Sequence, residues 1–290
     1  MRPHVEAFYD QDTGTLSYVV FDEDTRDGVI IDPICDFDQA SGRIEFKSVK
    51  ALLKYVNVHG VKVHMLMETH AHADHISGSQ FLKAHLGGVR VAIGRHVTEV
   101  QRLFQKAYWY PDGLATDGSQ FDLLLVEETE VAAGSLRFRV IHTPGHTPAC
   151  CAYVFDGLAF CGDSLFMPDY GTGRCDFPGG SAATLYDSIV DKIYRLPDDT
   201  LLCTGHDYCP GGRNMRFGAT VREQKDANIH LKTGTTRDEF VAFRQGRDKA
   251  LNVPKLLHAS VQVNVQAGKL PAKLPNGGQY VMVPLSVGEF

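Results

Sequence analysis

Four potential metal ligands fall within six residues in the segment Thr69-His70-Ala71-His72-Ala73-Asp74-His75. Residues 61–69 lead into this segment and indicate a largely buried strand, because residues 63–67 contain almost nothing polar except His64. In an extended chain the side chains of His70, His72 and Asp74 point to the same side, and His75 follows at once. Without a cation, imidazoles and a carboxylate so close together would repel and desolvate one another. We therefore predict a metal site at the end of a buried strand.

Three further residues of ligand type occur in a similar local setting, each beside a glycine and shortly after an apolar run. They are His146 after residues 136–141, Asp163 after 158–161 and His206 after 201–204. The glycines permit the tight backbone turns that such positions need. Because loops that leave strand ends form the active sites of α/β folds, we expect these residues to converge with the first segment on one cleft.

Strand and helix patterns alternate around these residues. Helices are predicted from about residue 46 to the stop at Gly60 and over 182–194, where Ser181 is the cap. Strands are predicted at residues 16–22, 28–32, 121–126, 136–141, 151–155, 158–161 and 201–204. We expect a catalytic domain over residues 1–230, with residues 231–290 as a C-terminal helix and tail packed on the same domain.

The composition narrows the classes of function. With 29 Lys and Arg against 35 Asp and Glu, the net charge of −6 makes the chain a poor partner for nucleic acid or an anionic membrane. No apolar stretch approaches the roughly 18 residues of a spanning helix, and the first ten residues lack a signal-peptide core, so we predict a cytoplasmic protein. The seven cysteines show no CxxC pair and no disulfide pattern, and are expected to be small buried apolar residues.

The pattern His70-x-His72-x-Asp74-His75, with His146, Asp163 and His206, resembles the metallo-β-lactamase superfamily. The resemblance implies an α/β (α+β) fold, a four-layer αβ/βα sandwich of two mixed β-sheets flanked by helices, with the site at one edge between the sheets. Members that hydrolyse esters or thioesters use all seven residues to hold two metals, and the residue that matches Asp163 bridges them. One open interpretation is therefore a dinuclear hydroxyacylglutathione hydrolase.

Further segments are similar to glutathione-dependent persulfide dioxygenases, especially the bacterial subgroup: residues 143–150, 173–177, 205–208 and 254–257. This resemblance implies that only His70, His146 and Asp163 bind a single Fe(II), which zinc can replace. It implies oxidation of glutathione persulfide by O₂ and water to sulfite and glutathione, in sulfur metabolism and hydrogen sulfide detoxification. His72, Asp74, His75 and His206 would then orient the ligands and donate hydrogen bonds or protons. Cys175, where many relatives have threonine, departs from the pattern.

Substrate recognition requires cations for the two carboxylates of glutathione. The candidates are Arg174, Arg213 and Arg216, with Tyr170 as a cover for the ligand. The resemblance also leaves open a homodimer and a functional link to a rhodanese. A third interpretation is a regulator or nucleic-acid-binding relative that keeps the fold without turnover; the acidic charge balance and the complete ligand set count against it.

Overall fold

The computed structural model describes residues 2–285. Fifteen strands are present in the described chain: β1 His4–Tyr9, β2 Leu16–Phe21, β3 Asp27–Ile31, β4 Ile34–Asp38, β5 Arg43–Glu45, β6 Lys62–Glu68, β7 Ile76–Ser77, β8 Arg90–Gly94, β9 Leu123–Leu125, β10 Glu130–Ala133, β11 Leu136–His142, β12 Cys151–Phe155, β13 Leu158–Phe160, β14 Leu201–Cys203 and β15 Gly218–Thr220. All eight strands predicted from the sequence are present, with ends shifted by up to two residues.

Seven α-helices accompany the strands over residues 2–285: α1 Lys47–His59, α2 Ser79–His85, α3 Val97–Ala107, α4 Ala182–Asp191, α5 Val221–Ala227, α6 Arg237–Asp248 and α7 Leu257–Asn264. Local sequence explains their limits. Gly60 takes a left-handed conformation (φ 64°) and ends α1, and the Ser181 side chain accepts a hydrogen bond from the Thr184 N–H at the start of α4. None of the helices in this part of the chain has the length and apolar character needed to cross a bilayer.

The strands form two six-stranded sheets and a small third one. The first sheet has the order β1-β2-β3-β6-β8-β9, the second β10-β11-β12-β13-β14-β15, and the third β5-β4-β7. Both large sheets are mixed. In the first sheet β3, β6, β8 and β9 are parallel to one another, and β1 and β2 pair in antiparallel fashion. In the second sheet β13 and β14 are parallel, and the other neighbouring strands are antiparallel.

The central core lies between the inner faces of the two large sheets. Tyr18, Ile31 and Met65 from the first sheet pack with Phe138 and Tyr153 from the second, all fully or almost fully buried. Helices α1, α2, α3 and α7 cover the outer face of the first sheet, and α4, α5 and α6 cover that of the second. The four-layer αβ/βα sandwich predicted from the sequence is therefore confirmed.

Two buried tyrosines join the sheets at the edge where the ligand-bearing loops begin. The Tyr18 hydroxyl on β2 donates to the Thr204 carbonyl just after β14, at 2.5 Å. The Tyr153 hydroxyl on β12 donates to the Glu68 carbonyl at the end of β6, at 2.6 Å. Each bond ties the start of a ligand loop on one sheet to a strand of the other.

The C-terminal segment reaches the same edge. Residues 257–264, which were predicted as part of a tail, form α7 beside β7. The Asn264 amide at its end donates to the carbonyls of His72 and His75, at 2.9 and 2.7 Å, and accepts from the Ser77 N–H at 2.9 Å. Helix α7 thus holds the backbone of the histidine-rich loop in place.

Candidate metal centre

The seven ligand-type side chains lie on loops at one edge of the sandwich. His70, His72, Asp74 and His75 follow β6, His146 lies between β11 and β12, Asp163 follows β13 and His206 follows β14. Six of the seven are buried, and Asp74 is partly exposed. The loops that follow β6, β11, β13 and β14 therefore converge at one edge, as the sequence predicted.

His70, His146 and Asp163 form one group, whose ligand atoms all lie within 4.8 Å of one another. The Asp163 Oδ2 is 3.6 Å from the His146 Nε2 and 4.0 Å from the His70 Nε2. Two imidazole nitrogens and one carboxylate oxygen therefore face a common point.

Hydrogen bonds on the far side of each ring fix which nitrogen faces that point. The His146 Nδ1 donates to the Arg174 carbonyl at 2.7 Å, which leaves Nε2 as a free lone pair. The His70 Nδ1 lies 3.0 Å from the Thr69 hydroxyl, which donates to the Asp32 carboxylate at 2.8 Å. Burial lowers the pKa of both His70 and His146, so both rings favour the neutral form that binds metals.

His206, Asp74 and His75 form a second group on the other side of Asp163. The His206 Nε2 is 3.2 Å from the Asp74 Oδ2 and 3.4 Å from the Asp163 Oδ1. Although burial alone raises the pKa of Asp74, the neighbouring His206 and His75 hold it well below its ordinary value. Asp163 thus directs one carboxylate oxygen to each group.

His72 is held differently, by two buried carboxylates that sequence reasoning missed. Its Nε2 lies 3.0 Å from the Asp32 Oδ1 and 3.6 Å from the Glu68 Oε2. Burial alone lowers the pKa of His72, but these two charges outweigh it and raise the pKa well above its usual value. The sequence did contain a signal for Asp32, because this residue follows an apolar strand, as Asp163 does. In the structure Asp32 has a left-handed backbone (φ 48°).

The buried polar atoms of this cluster support a fit to a metal cation. The Asp74 Oδ2, His75 Nε2, Asp163 Oδ1 and His206 Nε2 atoms have no hydrogen-bond partner in the described part of the chain. Buried polar groups without partners are rare and costly, and a cation satisfies nitrogen lone pairs and carboxylate oxygens together. The chemistry of the donor set therefore fits a metal.

Glycines make room for the Asp163 carboxylate and for the Thr69 hydroxyl beside His70. A Cβ on Gly205 would lie 2.5 Å from the Asp163 Oδ1, and one on Gly162 would lie 2.6 Å from the Thr69 Oγ1. Gly162 also has a positive φ of 49°. No larger residue fits either position without moving the carboxylate or the Asp32–Thr69 pair.

A cavity of about 260 Å³ opens over the metal-ligand candidates. It is lined by Ala73, Asp74, His146, Asp163, Phe166, Tyr170, Thr172, Arg174, Phe177, Tyr208, Arg247, Leu251 and Pro254. A larger outer groove of about 1110 Å³ shares Asp74, Tyr208 and Pro254 with this cavity. The shared lining gives a route from the surface to the metal-ligand cluster.

The four predicted substrate residues occupy different positions. Tyr170 and Arg174 line the cavity, and the Arg174 guanidinium makes two 2.6 Å hydrogen bonds to the Asp176 carboxylate. Arg213 binds the carboxylates of Asp169 and Asp207, and Arg216 is exposed and pairs with Glu223. Neither Arg213 nor Arg216 is among the residues that line the cavity. Their contact with substrate remains a prediction.

Comparison with known proteins places this geometry in a family. The model of the metallo-beta-lactamase superfamily matches residues 11–206. The chain is 47% identical to the probable metallo-hydrolase BURPS1710b_2304 of Burkholderia pseudomallei, over 97% of this chain and 98% of that one. It is 41% identical to glyoxylase B2 of Dictyostelium discoideum, over 98% of each chain. It also matches the beta-lactamase hydrolase-like protein of Xylella fastidiosa (strain Temecula1), at 47% identity, but spans only 66% of that protein's length.

Persulfide dioxygenases are also among the relatives. The human mitochondrial persulfide dioxygenase ETHE1 is 30% identical over 88% of this chain and 84% of its own. The crystal structure of ETHE1 from Myxococcus xanthus superposes with a TM-score of 0.72 at 29% identity, covering 92% of this chain and all of that one. The family match over residues 11–206, together with the sandwich and its edge cluster, shows that the chain belongs to the metallo-beta-lactamase superfamily.

Proposed function

We propose that the protein is a persulfide dioxygenase that uses one Fe(II) ion. In this reaction glutathione persulfide, O₂ and water yield glutathione and sulfite: the S–S bond breaks, the outer sulfur is oxidised, and O₂ is reduced. Both atoms of O₂ and one oxygen of water enter sulfite, so no further oxidant is needed. The similarity to the human persulfide dioxygenase ETHE1 and to the ETHE1 structure from Myxococcus xanthus supports the proposal.

The observation that carries the proposal is the grouping of His70, His146 and Asp163. Two neutral imidazoles and one carboxylate are the ligand set of non-haem Fe(II) oxygenases, and they leave coordination positions free. When bound there, Fe(II) supplies the redox chemistry that joins a sulfur ligand to O₂, and zinc can replace it by its higher general affinity. His72 differs from the two histidines of this group because its raised pKa favours the protonated form.

The chain's own residues would bind and shield the substrate. A protonated His72 has an Nδ1–H without a partner among residues 2–285, suited to donate a hydrogen bond or a proton to the bound persulfide. The rings of Tyr170 and Tyr208 lie 4.6 Å apart at the cavity, and Phe166 and Phe177 line its walls. Aromatic walls exclude water, which strengthens the electrostatic contacts inside.

The second candidate function is a two-metal hydroxyacylglutathione hydrolase. One observation favours it: Asp74, His75 and His206 present buried atoms without partners, and the Asp163 Oδ1 lies 3.4 Å from the His206 Nε2. Asp163 could then bridge two cations, one in each group. The names of the relatives at 47% and 41% identity, a probable metallo-hydrolase and a glyoxylase, agree with hydrolysis.

Oxygen consumption separates the two candidates. Protein purified anaerobically with about one iron per chain should consume O₂ and form sulfite when glutathione persulfide is added, and should leave S-lactoylglutathione intact. Asp163→Ala is the inactive control. Protein that consumes no O₂ but cleaves S-lactoylglutathione, above all with two metals per chain, would establish the hydrolase and exclude the dioxygenase.

The proposed activity has consequences for location and partners. Glutathione persulfide must come from a sulfur-transfer reaction, and a rhodanese is the class of enzyme that performs it. We propose this link together with a cytoplasmic location and a homodimer. Cell fractionation, light scattering and an assay coupled to a rhodanese test the three statements separately.

A further inference from the structure

The cavity over the metal-ligand cluster contains one arginine without an acidic partner. Arg247 lies near the C-terminal end of α6 and lines the cavity together with His146 and Asp163. Its side chain is half-buried, and its guanidinium carbon lies 5.8 Å from the centre of the Tyr170 ring. Across residues 2–285 this side chain makes no ion pair and no hydrogen bond.

The three arginines predicted to bind substrate differ from it in this respect. Arg174, Arg213 and Arg216 each pair with at least one carboxylate. An arginine that is already paired has fewer donors left for a ligand, and a new anion has to compete with the existing one. Arg247 keeps its five N–H donors available, in a cavity that leads to the metal-ligand cluster.

Two structural roles of Arg247 need to be separated from a role in binding. A cation at the end of a helix interacts favourably with the helix dipole, and a guanidinium near an aromatic ring gains cation–π energy. Lys249 offers a matched comparison, because it is exposed and caps the same helix two residues further on. Loss of the Lys249 charge weakens the helix end in a similar way but removes nothing from the cavity lining.

We propose that Arg247 binds the glycyl carboxylate of the glutathione moiety and thereby selects thiol peptides that carry this anion; the inference rests on the proposed function. A guanidinium and a carboxylate form two parallel charge-assisted hydrogen bonds. The glycyl end suits Arg247 better than the γ-glutamyl end, whose ammonium group would be repelled by the guanidinium.

The test compares one charge on the protein with one charge on the ligand. S-methylglutathione and its glycine monoethyl ester are titrated calorimetrically into metal-loaded wild-type protein and the Arg247→Gln variant. We expect Arg247→Gln to weaken binding of the free acid by about 10- to 100-fold, the size of a hydrogen bond to a charged group. The ester should bind both proteins alike, within about twofold, at the weaker level. Lys249→Gln should bind the acid as wild type does, and Arg247→Lys should recover part of the loss.

Three results would overturn the proposal. They are an equal loss for acid and ester in Arg247→Gln, unchanged binding of the acid by that variant, and no binding of S-methylglutathione by the wild type. Melting temperatures of all variants identify any loss that comes from unfolding. These titrations involve no O₂, so they test the role of Arg247 independently of the oxygen assay, which tests the dioxygenase activity. If the protein proves to be a hydrolase, the same comparison can be repeated with S-lactoylglutathione as substrate.

Discussion

Asp248, near the end of α6, accepts a hydrogen bond from the backbone N–H of Cys175 at 2.8 Å. The preceding carbonyl, that of Arg174, accepts from the Nδ1 of His146 at 2.7 Å. Asp248 also pairs with the fully buried Arg244, which in turn donates to the Thr172 carbonyl. A helix far along the chain therefore sets the loop that orients a predicted metal ligand.

Asp248→Asn should lower metal affinity without touching the ligands. Groups that orient a ligating histidine typically change affinity by about 10- to 100-fold, and we expect a loss in that range. Competition with a chromogenic chelator measures it. Asp226→Asn, on the exposed surface of α5, is the matched control. If the variant loses stability but keeps its metal affinity, Asp248 neutralises the buried Arg244 and does not orient the metal ligand.

Asp163→Ala should abolish metal retention. It removes the carboxylate that faces both histidine groups and leaves His70 and His146 without the acidic member of their group. Elemental analysis after gel filtration checks this, with circular dichroism to verify the fold. Metal content close to that of the wild type would exclude Asp163 as a ligand.

His206→Ala should reduce activity and metal affinity less than Asp163→Ala does if the active enzyme holds one iron per chain. The ring would then only position its neighbours, so we expect activity or affinity to fall by roughly 10- to 100-fold while some iron stays bound. Metal per chain and O₂ consumption are measured on the same sample. A fall from two metals to one, with loss of thioester cleavage, would support the dinuclear hydrolase instead.

Tyr153→Phe should destabilise the protein by about 1–3 kcal/mol, because it removes a buried hydrogen bond between the two sheets. Urea unfolding of the metal-loaded protein gives the value. Tyr280→Phe is the control, since that ring is 53% exposed on the C-terminal segment and its loss should cost under about 0.5 kcal/mol. Equal stabilities of the two variants would contradict a bracing role for Tyr153.

A thiol reagent should modify one cysteine per chain in the native protein at pH 8. Cys209 is partly exposed, whereas the other six free cysteines are buried. Burial raises the pKa of Cys35, Cys150, Cys161 and Cys175 to about 12, and those of Cys151 and Cys203 also lie well above the usual value. Because a thiolate forms only as pH rises towards the pKa, these six stay unreactive up to about pH 10. More than one fast equivalent with Ellman's reagent would contradict this.

Short-range patterns predict the strands and the convergence of the seven ligand-type residues, whereas the sandwich follows from the resemblance to the metallo-β-lactamase superfamily. Alternation and apolar runs mark the strands that end at His146, Asp163 and His206. Helix α7 escaped prediction because residues 259–264 are buried on every side, which leaves no polar face to reveal a helical period.

Other contributions depend on contacts between distant residues. Asp32 and Glu68 reach His72 from two neighbouring strands, and Asn264 binds the same loop from 192 positions along the chain. Arg247 gives no local signal at all, since only the packing of α6 places it in the cavity. Residue types predict the ligands, but charge pairing in three dimensions decides which arginines remain free.

The order of the strands makes the candidate metal centre a property of the assembled molecule. The first large sheet ends at residue 125 and the second begins at residue 130; the first half contributes residues 70–75 and the second contributes His146, Asp163 and His206. Neither half on its own holds the group formed by His70, His146 and Asp163. A nascent or damaged chain whose halves have not docked therefore cannot assemble this group, and any metal bound by it is confined to molecules that have finished folding.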